Sequence, residues 1–119
     1  MIEKKIHWYK IADQIADIDW QTNNMAITDV EGKKITLIFR NGELSACTHK
    51  CPHAGGVLAL GFVDALNNIV CPLHKYRFSV DNGRNTSGEG YYLKVYKVEK
   101  RMDGIYVGME ENGTNERIK

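Results

Sequence analysis

No stretch of this 119-residue sequence is apolar over enough length to cross a bilayer; the longest weakly polar run, residues 54–63, is about half of the roughly 20 residues a spanning helix needs. Charge of one sign is equally scarce. Sixteen Lys and Arg stand against fifteen Asp and Glu, a net charge of +1, which leaves neither a basic footprint for nucleic acid nor an acidic tail. Cysteine is sparse and odd in number: three in a chain that is 43% hydrophobic and 26% charged. That count does not make the disulfide framework of a small secreted protein, so a reducing compartment is expected. Residues 1–10 mix Glu3, Lys4, Lys5 and His7 with the apolar side chains, so no targeting segment is expected and the cytoplasm is the expected location. Helical periodicity is missing too, because no fifteen-residue window repeats its apolar positions at helical spacing.

The chain consists instead of short β-type runs separated by turn chemistry, which predicts a single all-β domain. Residues 33–39 place Ile35, Leu37 and Phe39 on one face and lead into Arg40-Asn41-Gly42-Glu43, where Asn-Gly supplies the positive φ angles of a tight hairpin. A strand over 44–47 follows. Upstream, residues 25–30 reach a second turn at Glu31-Gly32, so 25–47 reads as a three-stranded meander. Further strands are expected at 69–70, 77–80, 91–99 and 105–109, and residues 12–20 read as a short helical turn or a packed loop. Residues 1–109 form the expected domain. Residues 110–119 hold one aliphatic side chain, Ile118, and are expected to be an unordered polar tail because they bury too little to offset their ordering entropy.

Two boxes carry the chemistry: Cys51-Pro52-His53-Ala54-Gly55-Gly56 and Cys71-Pro72-Leu73-His74-Lys75-Tyr76. Each pairs a thiol with an imidazole in a loop between predicted strands, where liganding side chains can converge. Two cysteines and two histidines so placed make a metal site. A tetrahedral zinc accepts such a set, but paired zinc ligands are usually about two to five residues apart. With one residue between them, Cys51 and His53 sit more comfortably on two different ions, and Cys71 with His74 can do likewise. A two-iron, two-sulfide cluster meets that need, with Cys51 and Cys71 on one iron and His53 and His74 on the other. A zinc site, or buried thiols with hydrogen-bonded histidines and no metal, are the competing readings.

The two boxes and their separation resemble those of Rieske [2Fe-2S] proteins, with the order of elements following over roughly residues 8–109. The nearest likeness is to the small Rieske ferredoxins that serve aromatic-ring dioxygenases and to the small subunit of NADH-dependent nitrite reductase. That resemblance implies an antiparallel sandwich or barrel-like base carrying a small cluster-binding lobe, and one [2Fe-2S] cluster as cofactor. It implies a non-catalytic, one-electron carrier between a flavin reductase and a terminal oxygenase. The alternative is a small electron-transfer subunit paired with a nitrite reductase large subunit or another oxidoreductase. Electrons would pass through the histidine edge, with His53 and His74 facing the partner, and neither nucleic acid nor membrane is expected as a partner. The imidazoles would lose protons more readily in the oxidised form, coupling potential to pH.

Charge arithmetic agrees with that role. Two ferric ions, two sulfides and two thiolates sum to a neutral group when the imidazoles are neutral, whereas four thiolates would start two charges lower, so histidine ligation raises the potential. Departures from the high-potential members refine this. Their bridging cysteines are replaced by Gly56 and Leu73, and their serine and tyrosine donors to the cluster sulfurs by Tyr76 and Phe78. Fewer donors predict a potential toward the lower end of the range of roughly −150 to +300 mV. The third loop, 85–92, lacks the family's proline, and Gly88 and Gly90 are the candidates to shape it instead.

Outside the boxes, Cys47 is expected in the core, His49 on the surface or in packing, and His7 at the periphery. Lys50, Lys75 and Arg77 flank the ligands and read either as solvated charge or as a docking patch for an acidic redox partner. Tyr91, Tyr92, Trp8 and Trp20 read as packing aromatics.

Overall fold

The computed structural model describes residues 5–53 and 55–110. Nine strands run in order: β1 (Ile6–Ala12), β2 (Met25–Val30), β3 (Lys33–Arg40), β4 (Glu43–Thr48), β5 (Phe62–Val63), β6 (Asn68–Val70), β7 (Arg77–Ser79), β8 (Val95–Arg101) and β9 (Gly104–Glu110). Two 3-10 turns, Ile15–Asp17 and Leu58–Leu60, interrupt them. The expected 25–47 meander is β2–β3–β4. Its turns carry positive φ at both central residues, Glu31 (52°) with Gly32 (81°) and Asn41 (53°) with Gly42 (80°), the geometry that matches the twist of tight hairpins.

Six strands form one curled antiparallel sheet in the order β1-β9-β8-β4-β3-β2, and β5-β6-β7 form a second, smaller sheet. Strand alternation divides the core in two. Ala26, Ile35, Leu37, Ala46 and Val107 point into the hollow of the curled sheet, where Trp20 and Tyr96 pack against them. The adjacent positions Met25, Ile38 and Cys47 point the other way, onto Leu58, Ile69, Phe78 and Val80 of the lobe. The strands β2, β3 and β4 are thus a partition with a core on each face. The two parts are also stapled by polar contacts: Asn23 Nδ2 donates to the carbonyls of Ala59 and Gly61, both at 2.9 Å, and Gln21 Nε2 to Ala59 at 2.7 Å.

Strands β1 and β5 and the start of β8 depart from the sequence expectations. Strand β1 was not anticipated; it is an edge strand on β9, and with His7 and Lys10 exposed and most other positions only half-buried it lacks a clean alternation. The strand expected at 91–99 begins only at Val95, because residues 91–94 leave the third loop and Leu93 N–H bonds to the Gly83 carbonyl. The tail expected at 110–119 lies outside the described residues apart from Glu110, which ends β9 opposite Ile6. Among the described residues no helix is long and apolar enough to cross a membrane.

Candidate metal centre

The first box follows β4 and the second follows β6, and their backbones close in the same way. In the first, Cys51 N–H donates to Gly56 O at 2.8 Å and Gly55 N–H to Cys51 O at 3.0 Å; in the second, Cys71 N–H donates to Tyr76 O at 2.9 Å and Lys75 N–H to Cys71 O at 3.1 Å. The residue four places after each cysteine takes positive φ, 76° at Gly55 and 62° at Lys75. Two equivalent loops therefore stand side by side at one end of the lobe.

Their side chains sort into two pairs. Cys51 and Cys71 are buried on the apolar floor made by Leu58, Ile69 and Phe78, and their thiols interact with each other as free, unbridged groups. Burial is the main cause that holds the Cys71 thiol above its ordinary pKa; the Leu73 amide opposes it and the neighbouring Cys51 adds to it. The imidazoles form the second pair toward solvent, His74 Nδ1 lying 3.3 Å from His53 Nε2 with ring centroids 4.8 Å apart. His53 is half-buried, His74 exposed.

Packing around this arrangement is specific. Tyr76 stacks on His53 with centroids 3.9 Å apart and planes 27° apart, and Tyr91 leans on both rings at 5.7 and 5.9 Å. Gly56 leaves room where a Cβ would stand 3.0 Å from Cys71 Sγ and from Leu73 Cγ. The third loop is organised by Asn85, whose amide donates to Arg77 O at 2.9 Å and to Glu89 Oε1 at 3.0 Å, and whose Oδ1 accepts the Gly90 N–H at 2.7 Å. Its proline is not needed because one side chain ties both ends, with Gly88 and Gly90 at positive φ between and beside them. Asn85 carried no sequence signal beyond its place in the loop.

The donor set can be tested against a metal group on these observations. Among the described residues no three His, Cys, Asp or Glu side chains gather as the ligands of one ion. A sulfur pair and a nitrogen pair, side by side but separate, suit two irons better than one tetrahedral zinc. His53 Nδ1 is buried without a hydrogen-bond partner, an expense that a coordinate bond would remove. The residues fit a [2Fe-2S] group.

The other sequence candidates fall elsewhere. Cys47 is 1% exposed, and burial pushes its thiol up to about 12 against a bond with Thr36. His49 is half-buried with an unpartnered Nδ1, and His7 is exposed on β1. Arg77 turns away from the proposed positive patch and holds Asp64, Nε to Oδ2 at 3.1 Å.

The profile of the Rieske [2Fe-2S] domain matches residues 7–97. The chain is 33% identical over 75 residues to the ferredoxin component of the naphthalene 1,2-dioxygenase system of Pseudomonas aeruginosa, covering 63% of this chain and 71% of that one. It is 32% identical over 69 residues to a human Rieske domain-containing protein, covering 56% of this chain and only 41% of that protein. The fold matches the ferredoxin of carbazole 1,9a-dioxygenase from Nocardioides aromaticivorans with a TM-score of 0.72 at 24% identity, over 84% of this chain and 95% of that one. It also matches a protein described as a nitrite reductase NADPH small subunit, with a TM-score of 0.71 at 21% identity, over 85% and 97% of the two chains. At those identities the structural likeness speaks for the fold alone. The chain belongs to the Rieske [2Fe-2S] domain family, whose cofactor is one [2Fe-2S] cluster.

Proposed function

We propose that this chain is a one-electron carrier that is not itself catalytic, with Cys51 and Cys71 holding one iron and His53 and His74 the other. The observation that carries the reading is the sorting of the four donors: thiols paired on a buried apolar floor, imidazoles paired at an open tip. When bound, the cluster takes up and gives back a single electron. Cys51 and Cys71 keep their side of the site away from water. His53 and His74 present the conducting edge to a docking protein, and Tyr76 fixes the plane of His53 by stacking on it.

The partners are a flavin reductase on the donor side and a terminal oxygenase on the acceptor side. Support comes from the naphthalene dioxygenase ferredoxin component, 33% identical over 75 residues. The nitrite reductase subunit shares the fold only, so that reading ranks second. Residues 1–109 act as one cluster-binding unit, and three free cysteines with no disulfide suit a cytoplasmic setting.

Reduction with dithionite tests the assignment. A low average g value in the electron paramagnetic resonance spectrum is expected of mixed nitrogen and sulfur ligation; colourless protein after anaerobic reconstitution would refute it. Phe78, buried at the floor four residues after His74, has no donor to offer a sulfur, so the midpoint potential is expected below about 0 mV, in the lower part of the Rieske range. A redox titration checks this.

A further inference from the structure

We propose that a lysine-rimmed groove beside the first box is the docking site for an acidic segment of the protein that exchanges electrons with this one, an inference that rests on the electron-carrier reading. The groove has a volume of about 630 Å³, and Lys33, Lys34, Lys50, Lys94, Tyr92 and Tyr96 are among the residues that line it. Sheet register gathers these distant positions. Ile35 pairs with Thr48, which sets the start of β3 beside the residues that follow β4, and Thr48 N–H bonds to Lys94 O, which lays the approach to β8 along the other side. Pro52 also lines the groove, so its near wall is one residue from His53.

Among the described residues three of the four charges have no carboxylate partner, and the Lys94 ammonium lies 5.8 Å over the Tyr96 ring. All four lysines are exposed. Among the described residues Lys33, Lys50 and Lys94 make no ion pair, and Lys34 reaches Asp29 only at 3.9 Å with both side chains more than half exposed. On the side of the second box two cations are engaged internally, Arg77 by Asp64 and Arg40 by the carbonyls of Asp64 and Ala65, which leaves the exposed Lys75 there without an ion pair among the described residues. Four like charges around one groove repel each other, and a carboxylate-bearing surface relieves that repulsion while steering approach to the imidazole edge. The furrow is open, and its two tyrosine rings offer packing surface for neighbouring side chains. Its charges come from three separate segments, residues 33–34, 50 and 94. Those traits fit a polypeptide segment, such as a loop with several Asp or Glu, better than a compact polyanion.

The test uses the holoprotein at low ionic strength, titrated calorimetrically with a hexaglutamate peptide, with carbodiimide cross-linking to map the lysines reached. Saturable binding is expected, with cross-links concentrated at Lys33, Lys34, Lys50 and Lys94. The K33E/K94E double variant should bind about tenfold more weakly at an unchanged melting temperature. K97E/K100E, on β8 outside the groove, should bind as the parent does. Undiminished binding to K33E/K94E, or cross-links spread evenly over the lysines, would overturn the proposal, as would pyrophosphate that binds more tightly than the peptide and displaces it. Optical and paramagnetic spectra of the same samples read the cluster separately. Intact spectra without peptide binding reject the groove alone, whereas colourless protein rejects the carrier reading and the docking proposal with it.

Discussion

The two boxes have one backbone and two chemistries. Each cysteine is closed by bonds to residues four and five places on, yet the occupants of those places differ. In the first box they are Gly55 and Gly56; in the second they are Lys75 and Tyr76. Gly56 makes space, since a side chain there would meet Cys71 and Leu73. Tyr76, its counterpart, fills space by stacking on His53. The first loop is therefore the receiver of contacts from the second, and the asymmetry comes from side chains laid on a repeated backbone.

The largest effect expected on that pairing comes from the donors. Cys51→Ser, Cys71→Ser, His53→Ala and His74→Ala should each abolish or alter the paramagnetic signal and bleach the visible spectrum. Cys47→Ser, in the same core but outside both loops, should keep both spectra. Next in size is Gly56→Val, expected to cost about 1–3 kcal/mol by overpacking and to lower the iron bound per chain, as read by denaturation and metal analysis. Tyr76→Leu removes the stack without a clash and should retain iron; if it loses as much as Gly56→Val, the division of roles between the two places is wrong.

A smaller effect concerns the brace behind the second box. Burial acts to raise the Asp64 pKa, but the Asn68 and Leu66 donors and the Arg77 charge outweigh it and hold the carboxyl below its usual value. A lowered folded-state pKa means that this stabilisation is present above the unfolded carboxylate value of about 3.9 and is lost as pH falls through the folded value. Asp64→Asn should therefore cost about 1 kcal/mol or less at neutral pH, the Arg77 side chain being 43% exposed, and should flatten the acid limb of a stability profile. The smallest expected difference is between the two positive-φ places. Lys75→Gly relieves a left-handed strain of roughly 1–2 kcal/mol but adds about 0.5–1 kcal/mol of unfolded-state entropy, for a net gain near 0.5 kcal/mol. Gly55→Ala should lose a similar amount, and paired thermal melts compare the two.

Some of this architecture can be read from local chemistry. Asn41-Gly42 and Glu31-Gly32 specify hairpins because few residue pairs tolerate two positive φ values, and the alternation through Ile35, Leu37 and Phe39 names one of the two faces of β3 that meet a core. The four candidate ligands stand out because thiol and imidazole occur together in two short loops. Strand β1 escaped notice because its stability comes from β9, almost a full chain length away. The role of Asn85 was hidden for a different reason: its partners Arg77 and Glu89 lie only eight and four residues away, but no residue pattern marks the loop conformation that brings both to its amide.

Ligand chemistry and turn positions follow from residue type and spacing, which are local properties that survive in any context. Charge neighbourhood does not. Lys50, Lys75 and Arg77 all flank the ligand boxes in the sequence, but Arg77 is drawn to Asp64, while Lys50 is joined by Lys33, Lys34 and Lys94 from two other strand ends. Coulomb interaction depends on distance through space, and strand register, set by the burial of alternating side chains on both faces of β3, is what sets that distance.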